Sequence, residues 1–140
     1  MAGRTFRLEI VTPERMVVAD DTVTSIVAPG SEGYLGVLAG HAPLLTELTV
    51  GEIDITRADN SEMAIATSGG FMEVGGNKVI ILADTAELAS EIDIDRARES
   101  ANRAEERLRR SLEAEVDAGR AEAAVSRAMN RLRVASRVNQ

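Results

Sequence analysis

Phe6, Leu8 and Ile10 alternate with Arg7, Glu9 and Val11 near the start of the chain, the period-two pattern of a strand with one buried face. Thr12-Pro13-Glu14 breaks that run. Two apolar stretches follow, Met16 to Ala19 and Val23 to Ala28, the second closed by Pro29-Gly30. After Gly51, Ile53 and Ile55 alternate with Glu52, Asp54 and Thr56, and Asp59-Asn60 marks a turn before Met63 to Ala66. Gly69-Gly70 and Gly75-Gly76-Asn77 bracket another short strand, and Lys78 to Ala83 reads as a buried one. Short strands set off by regular turn signals predict an antiparallel sandwich or flattened barrel over residues 1–86. No helical period intervenes, which argues against parallel βαβ topology.

The period changes after residue 86. Ala97, Ala101, Ala104, Leu108 and Leu112, then Ala121, Val125, Ala128, Leu132 and either Ala135 or Ser136, recur in steps of three and four. This predicts an antiparallel helical hairpin over 87–140, capped at its start by Ser90 or Asp93 and turned at Asp117-Ala118-Gly119. The seam between the helices is mostly alanine. A buried methyl contributes about 0.8 kcal/mol, whereas ordering one backbone residue costs about 1–2 kcal/mol. The hairpin is therefore expected to be marginal, only partly helical as an isolated fragment, and easily shifted by a ligand or partner.

Composition narrows the function classes. The 140 residues carry 16 basic and 23 acidic side chains, for a net charge of −7, and 2% aromatics. The core must be aliphatic, and the acidic balance argues against nucleic-acid binding. The absence of Cys excludes disulfides and thiolate chemistry, and one His leaves no multi-His metal site. No apolar run approaches the ~20 residues of a membrane span, and the first residues lack the apolar stretch of a signal peptide. A soluble, cytoplasm-side chain that is not an enzyme by itself is expected. Charge is segregated: residues 1–86 hold 5 basic and 12 acidic groups, 87–117 hold 6 and 10, and 118–140 hold 5 and 1. The last helix is thus a cationic arm.

Three groups of residues could carry chemistry. Gly30, Gly33 and Gly36 lack the Lys-Ser/Thr of a phosphate loop and the strand-to-helix switch of a dinucleotide site. They fit a surface loop with Glu32 and Tyr34 at its tip, either structural or a contact patch. His41, in GHAPLL, reads as a loop anchor more readily than as a base. Asp93, Arg96 and Arg103 share a helix face, and Arg127 and Arg131 sit one turn apart on the next helix. These residues form either a solvated face of local ion pairs or, on hairpin closure, a binding site for an anion such as a phosphate.

The stretches LEIVTPER, GSEGYLGVLAGHAPLLTEL, SGGFMEV, VIILADTAE and IDIDRA, in that order and followed by a helical tail, resemble the epsilon subunit of bacterial and chloroplast F-type ATP synthases. The resemblance covers nearly the whole chain. It implies a sandwich of about ten strands followed by two antiparallel helices, and a non-catalytic part in the rotor's central stalk that couples proton flow to ATP synthesis. The partners implied are the gamma subunit, the ring of c subunits and, through the tail, the alpha/beta catalytic head. Glu32, Tyr34, Leu38 and His41 correspond to the family's docking region for the c-ring and gamma. The tail opposes ATP hydrolysis in many bacterial members, and Arg120, Arg127, Arg131, Arg133 and Arg137 are the candidates for that contact. Some members bind ATP as a regulatory ligand through Ile/Leu-Asp-x-x-Arg-Ala, here Ile92, Asp93, Arg96 and Ala97, with Glu87, Arg103, Arg127 and Arg131 matching further positions. No metal and no obligatory cofactor is implied. The location implied is peripheral, on the cytoplasmic face of a bacterial plasma membrane rather than on a thylakoid. Two other readings stay open: a free ATP-binding sensor, and an adaptor whose tail is inert.

Overall fold

A computed structural model describes residues 4–111 and 118–138 of the chain, which divides into two compact units after Leu88. The first unit holds nine strands among the described residues: β1 (Phe6–Val11), β2 (Met16–Gly30), β3 (Gly33–Leu38), β4 (Leu44–Leu48), β5 (Gly51–Arg57), β6 (Glu62–Thr67), β7 (Gly70–Gly75), β8 (Lys78–Ala83) and β9 (Ala86–Leu88). They bond in the order β1-β8-β7-β4-β2-β5-β6-β9, with β3 on β2 and a further pairing of β1 with β2. Inward positions such as Leu8, Ile26, Ile55, Ile65, Met72 and Ile81 are fully buried in one aliphatic cluster. Each such side chain contributes roughly 1.5–3 kcal/mol. The expected β-sandwich is present.

Its details differ from the sequence pattern in four places. Met16–Gly30 is a single strand of 15 residues, not two. Asp20 looks like a turn former, but its Oδ1 accepts the Thr22 amide at 2.7 Å and the Thr22 hydroxyl at 2.6 Å. The register against β1 shifts at the same place, so a bulge absorbs the polar residues and the strand continues. The glycine-rich stretch is not a surface loop. Gly30 pairs with Gly33 around a two-residue turn, and β3 follows at once. Lys78–Ala83 buries only its inner face, because Leu82 points outward. Finally, β1 and β8 are parallel, since β8 meets β1 only after the chain has gone round the sheet. At the turn into β7, Gly70 has φ +146°, and a Cβ there would lie 2.1 Å from the Leu82 carbonyl oxygen, so only glycine fits.

The second unit consists of a 3-10 turn (Ala89–Glu91), α1 (Ile94–Ser111) and α2 (Ala118–Val138). Ala97, Ala101 and Ala104 of α1 and Ala121, Ala128 and Ala135 of α2 are buried, and Leu108, Val125 and Leu132 are half-buried. Ala135, not Ser136, completes the seam. Leu112 and Asp117 lie outside the described residues, while Ala118 and Gly119 belong to α2. The helix also buries Asn130 and Val134 on a second side, and the 3-10 turn packs against it. The Asn130 amide oxygen accepts from Arg133 at 3.1 Å, and no described buried polar side-chain atom lacks a partner. Methyl groups carry this seam where isoleucines and leucines carry the sandwich, so the hairpin is the weaker unit. Among the described residues no helix is long and apolar enough to cross a membrane.

Candidate functional site

The sequence offers two sets of candidate residues, one on the sandwich and one that, apart from Glu87, lies in the helical unit. In the sandwich, Tyr34 and Leu38 point outward from β3 and are 61% and 64% exposed. The Tyr34 hydroxyl accepts the Glu52 amide at 3.3 Å. It lies over Gly51, where a Cβ would come within 2.8 Å of that hydroxyl and 2.7 Å of Pro29. Glycine at 51 therefore lets the phenol lie down on β5 and fixes the ring. Glu32 is exposed in the turn before β3. His41 follows β3: its amide donates to the Leu38 carbonyl at 3.1 Å, and its Nδ1 contacts the Ala42 carbonyl at 2.7 Å. A carbonyl partner requires Nδ1 to hold the proton, so the ring anchors its own loop. The strip runs from Glu32 in the turn through Tyr34 and Leu38, roughly 13 Å apart at the rise of a strand, to His41 in the loop after β3.

A second apolar surface had not been read from the sequence. Leu45, Phe71 and Leu82 project outward from β4, β7 and β8 and are 70%, 54% and 57% exposed. The signal was present: with Met72 and Val74 facing in, period-two alternation turns Phe71 out.

In the helical unit, the Ile-Asp-x-x-Arg-Ala stretch is a helix start. Ile92 is buried, Asp93 Oδ1 accepts the Arg96 amide at 3.1 Å as N-cap, and Ala97 is fully buried in the seam. That leaves Arg96 as the motif residue without a structural task. Its guanidinium is exposed and makes no ion pair among the described residues. Arg103 is exposed and donates to the Ser100 hydroxyl at 3.1 Å. Helical spacing puts Arg96, Arg103 and Arg107 on one flank of the alanine seam of α1, and Arg120, Arg127 and Arg131 on one flank of the seam of α2. In an antiparallel pair both flanks fall on the same side, so the hairpin has one strongly cationic side. Arg127 is exposed and Arg131 half-buried. Glu87 belongs to the other unit, on β9 beside Ala66. Asp95–Arg98 and Glu106 with Arg109 and Arg110 form local ion pairs away from that side.

The five arginines of α2 do not form one surface. Arg120, Arg127 and Arg131 follow steps of seven and four, whereas Arg133 lies about 120–160° and Arg137 about 80–120° away from them around the helix axis, both exposed.

Comparison with known proteins agrees with this division. Residues 5–89 match the family described as ATP synthase, Delta/Epsilon chain, beta-sandwich domain, and residues 90–136 match its long alpha-helix domain. The ATP synthase epsilon chain of Moorella thermoacetica is 53% identical over 102 residues, covering 73% of this chain and 75% of its own. That of Pelotomaculum thermopropionicum is 52% identical over 108 residues, covering 77% and 79%. A chain in the solved Euglena gracilis mitochondrial ATP synthase superposes with TM-score 0.76 over 90% of this chain and 78% of that one, at 22% identity, a likeness of fold.

Proposed function

The chain belongs to the ATP synthase delta/epsilon chain family, whose epsilon members are non-catalytic subunits, and from that premise we propose that it is a rotor-stalk subunit with a regulatory, nucleotide-sensing hairpin. The sandwich docks on a gamma subunit and on the c-ring through the strip Glu32–Tyr34–Leu38–His41. It sits peripherally on the cytoplasmic face of a bacterial plasma membrane and couples proton flow to ATP synthesis. A fixed phenol and an exposed leucine on a rigid strand suit that role, because little order is lost on docking.

The hairpin regulates. One observation carries this reading: a seam of methyl groups joins two helices whose arginines crowd one side. Like charges there oppose closure, and a bound polyanion removes the repulsion. ATP is the proposed ligand. Its phosphates lie among Arg96, Arg103, Arg127 and Arg131, and Asp93 accepts from its ribose or amino groups. Without ATP the hairpin opens, and α2 carries its cations to an acidic surface of the alpha/beta head, where it opposes hydrolysis. Isothermal calorimetry with ATP on the purified chain tests the ligand: saturable heat supports it, and none at millimolar ATP removes it. Co-purification with a coiled-coil gamma subunit tests the docking and separates this reading from a free sensor.

A further inference from the structure

β3 lies at an open edge of the sheet: among the described residues it pairs with β2 alone. The hydrogen bonds of β2 fix which groups line that edge. The Pro29 carbonyl accepts the Thr49 amide at 2.8 Å, on the β4 side of the strand, so Pro29 and Tyr34 form a pair that exchanges no hydrogen bonds. Alternation makes Val27–Gly36 and Ser25–Leu38 pairs of the same kind. The N–H and C=O groups of Tyr34, Gly36 and Leu38 therefore point out of the sheet edge. Among the described residues only the Leu38 carbonyl is taken there, by the His41 amide at 3.1 Å.

Nothing in the strand guards this edge. Gly33–Leu38 has no charge, no proline and no bulge against β2, the devices that keep open edges from pairing. The strand also complements itself. Turned antiparallel about Gly36, two copies set Gly36 against Gly36 with no side chain between the backbones, and Tyr34 of each against Leu38 of the other. Tyr34 and Leu38 face the same side and are both well exposed, so each such pair is an aromatic–aliphatic contact between directly opposite residues. The Gly36 amides and carbonyls exchange two hydrogen bonds, and the Leu38 amide donates to the Tyr34 carbonyl of the other copy at both ends. The Glu32 turn of each copy then lies beside the His41 loop of the other, a carboxylate next to an imidazole rather than like against like.

We propose that the unassembled chain pairs with a second copy of itself, β3 edge to β3 edge, in a two-fold antiparallel dimer. A six-residue strand on each side buries less than the ~800 Å² per partner of a standard interface, so the dimer is weak and forms at high concentration. Pairing covers Tyr34 and Leu38, so self-association and docking through that strip exclude each other. This last consequence alone rests on the docking reading; the dimer does not.

Sedimentation velocity on the purified full chain, from low micromolar to near-millimolar concentration, tests the dimer: the mass is expected to rise from that of one copy, 15.0 kDa, toward that of two. Gly36→Pro removes an N–H that faces the open edge and so spares the β2–β3 ladder. It is expected to weaken the dimer by about tenfold or more, with unchanged circular dichroism. Glu32→Lys, which leaves the strand untouched, is expected to weaken it about three- to fivefold, and the charge swap Glu32→Lys/His41→Glu to restore it. A chain that stays monomeric throughout, or a dimer that Glu32→Lys and a folded Gly36→Pro leave equally tight, overturns the proposal. Added gamma subunit is expected to convert the dimer into a complex with one copy of this chain. A dimer that persists in that complex overturns the exclusion, and loss of gamma binding by the unaltered chain overturns the docking reading alone.

Discussion

Asp93 Oδ1 accepts the Arg96 amide at 3.1 Å, and the same residue's carbonyl accepts the Ala97 amide at 2.9 Å. One aspartate thus starts α1 and stands in the proposed ligand motif. The two roles separate by substitution. Asp93→Ala removes the cap and is expected to destabilise the hairpin by about 1 kcal/mol. Asp93→Asn keeps a capping oxygen and loses only the charge, so helix content by circular dichroism should be unchanged. If Asp93 also contacts ATP, Asp93→Asn weakens binding in calorimetry with no change in fold.

Gly70→Ala tests the strand closure. A methyl group there meets the Leu82 carbonyl oxygen and the backbone of Ala83, and φ is +146°. Strain of this kind costs about 1–3 kcal/mol before the overlap is counted. A clear fall in the urea midpoint of the sandwich is expected, with the helical signal following only as far as it depends on the sandwich.

Acid stability has a sign that the carboxylates fix. Hydrogen bonds from the Thr22 hydroxyl hold Asp20 below its ordinary value of 3.8, the Ser61 hydroxyl does the same for Asp59, and Lys78 does it for Glu9. A depressed folded value means stability that is present above the ordinary carboxylate range and lost as pH falls through the folded value. Asp54 runs the other way: partial burial raises it, so its charged form opposes folding, and protonation relieves that. The urea midpoint should therefore hold or rise slightly on mild acidification and then fall below pH 3.8. Asp20→Asn with Glu9→Gln should flatten the acid limb, and Asp54→Asn should abolish the earlier rise.

The two arginine stripes of α2 make different predictions for hydrolysis. Arg127→Ala/Arg131→Ala should reduce ATP binding and relieve inhibition together. Arg133→Ala/Arg137→Ala should relieve inhibition with ATP affinity unchanged, because these side chains lie around the axis from the cationic side. Calorimetry on the chain, with ATPase rates of the reconstituted complex, reads both.

The alternating aliphatic strands were legible because each buries one face on its own, as β1 and β5 do. The strands that escaped were those whose pattern is masked: β3 by glycines at 33 and 36, β4 because only Leu48 is fully buried, and β9 because three residues show no period. The bulge at Asp20 and the parallel closure of β1 on β8 depend on partners distant in sequence, which local pattern does not carry. In the hairpin the three- and four-residue steps gave the seam and the cationic flanks. Asn130 and Val134 are buried on a side that no periodicity of α2 marks. Phe71 and Leu82 sit in stretches apolar enough to read as core, and only the register shows them facing out.

The central claim is that docking resides in the sandwich and control in the hairpin. The buried cluster of the sandwich lies wholly before Leu88, so truncation after that residue leaves its core intact. In the reconstituted synthase, the truncated chain is predicted to assemble and support ATP synthesis while ATP hydrolysis rises and loses its dependence on the hairpin ligand. Loss of assembly, or hydrolysis identical to that of the full chain, would contradict the claim.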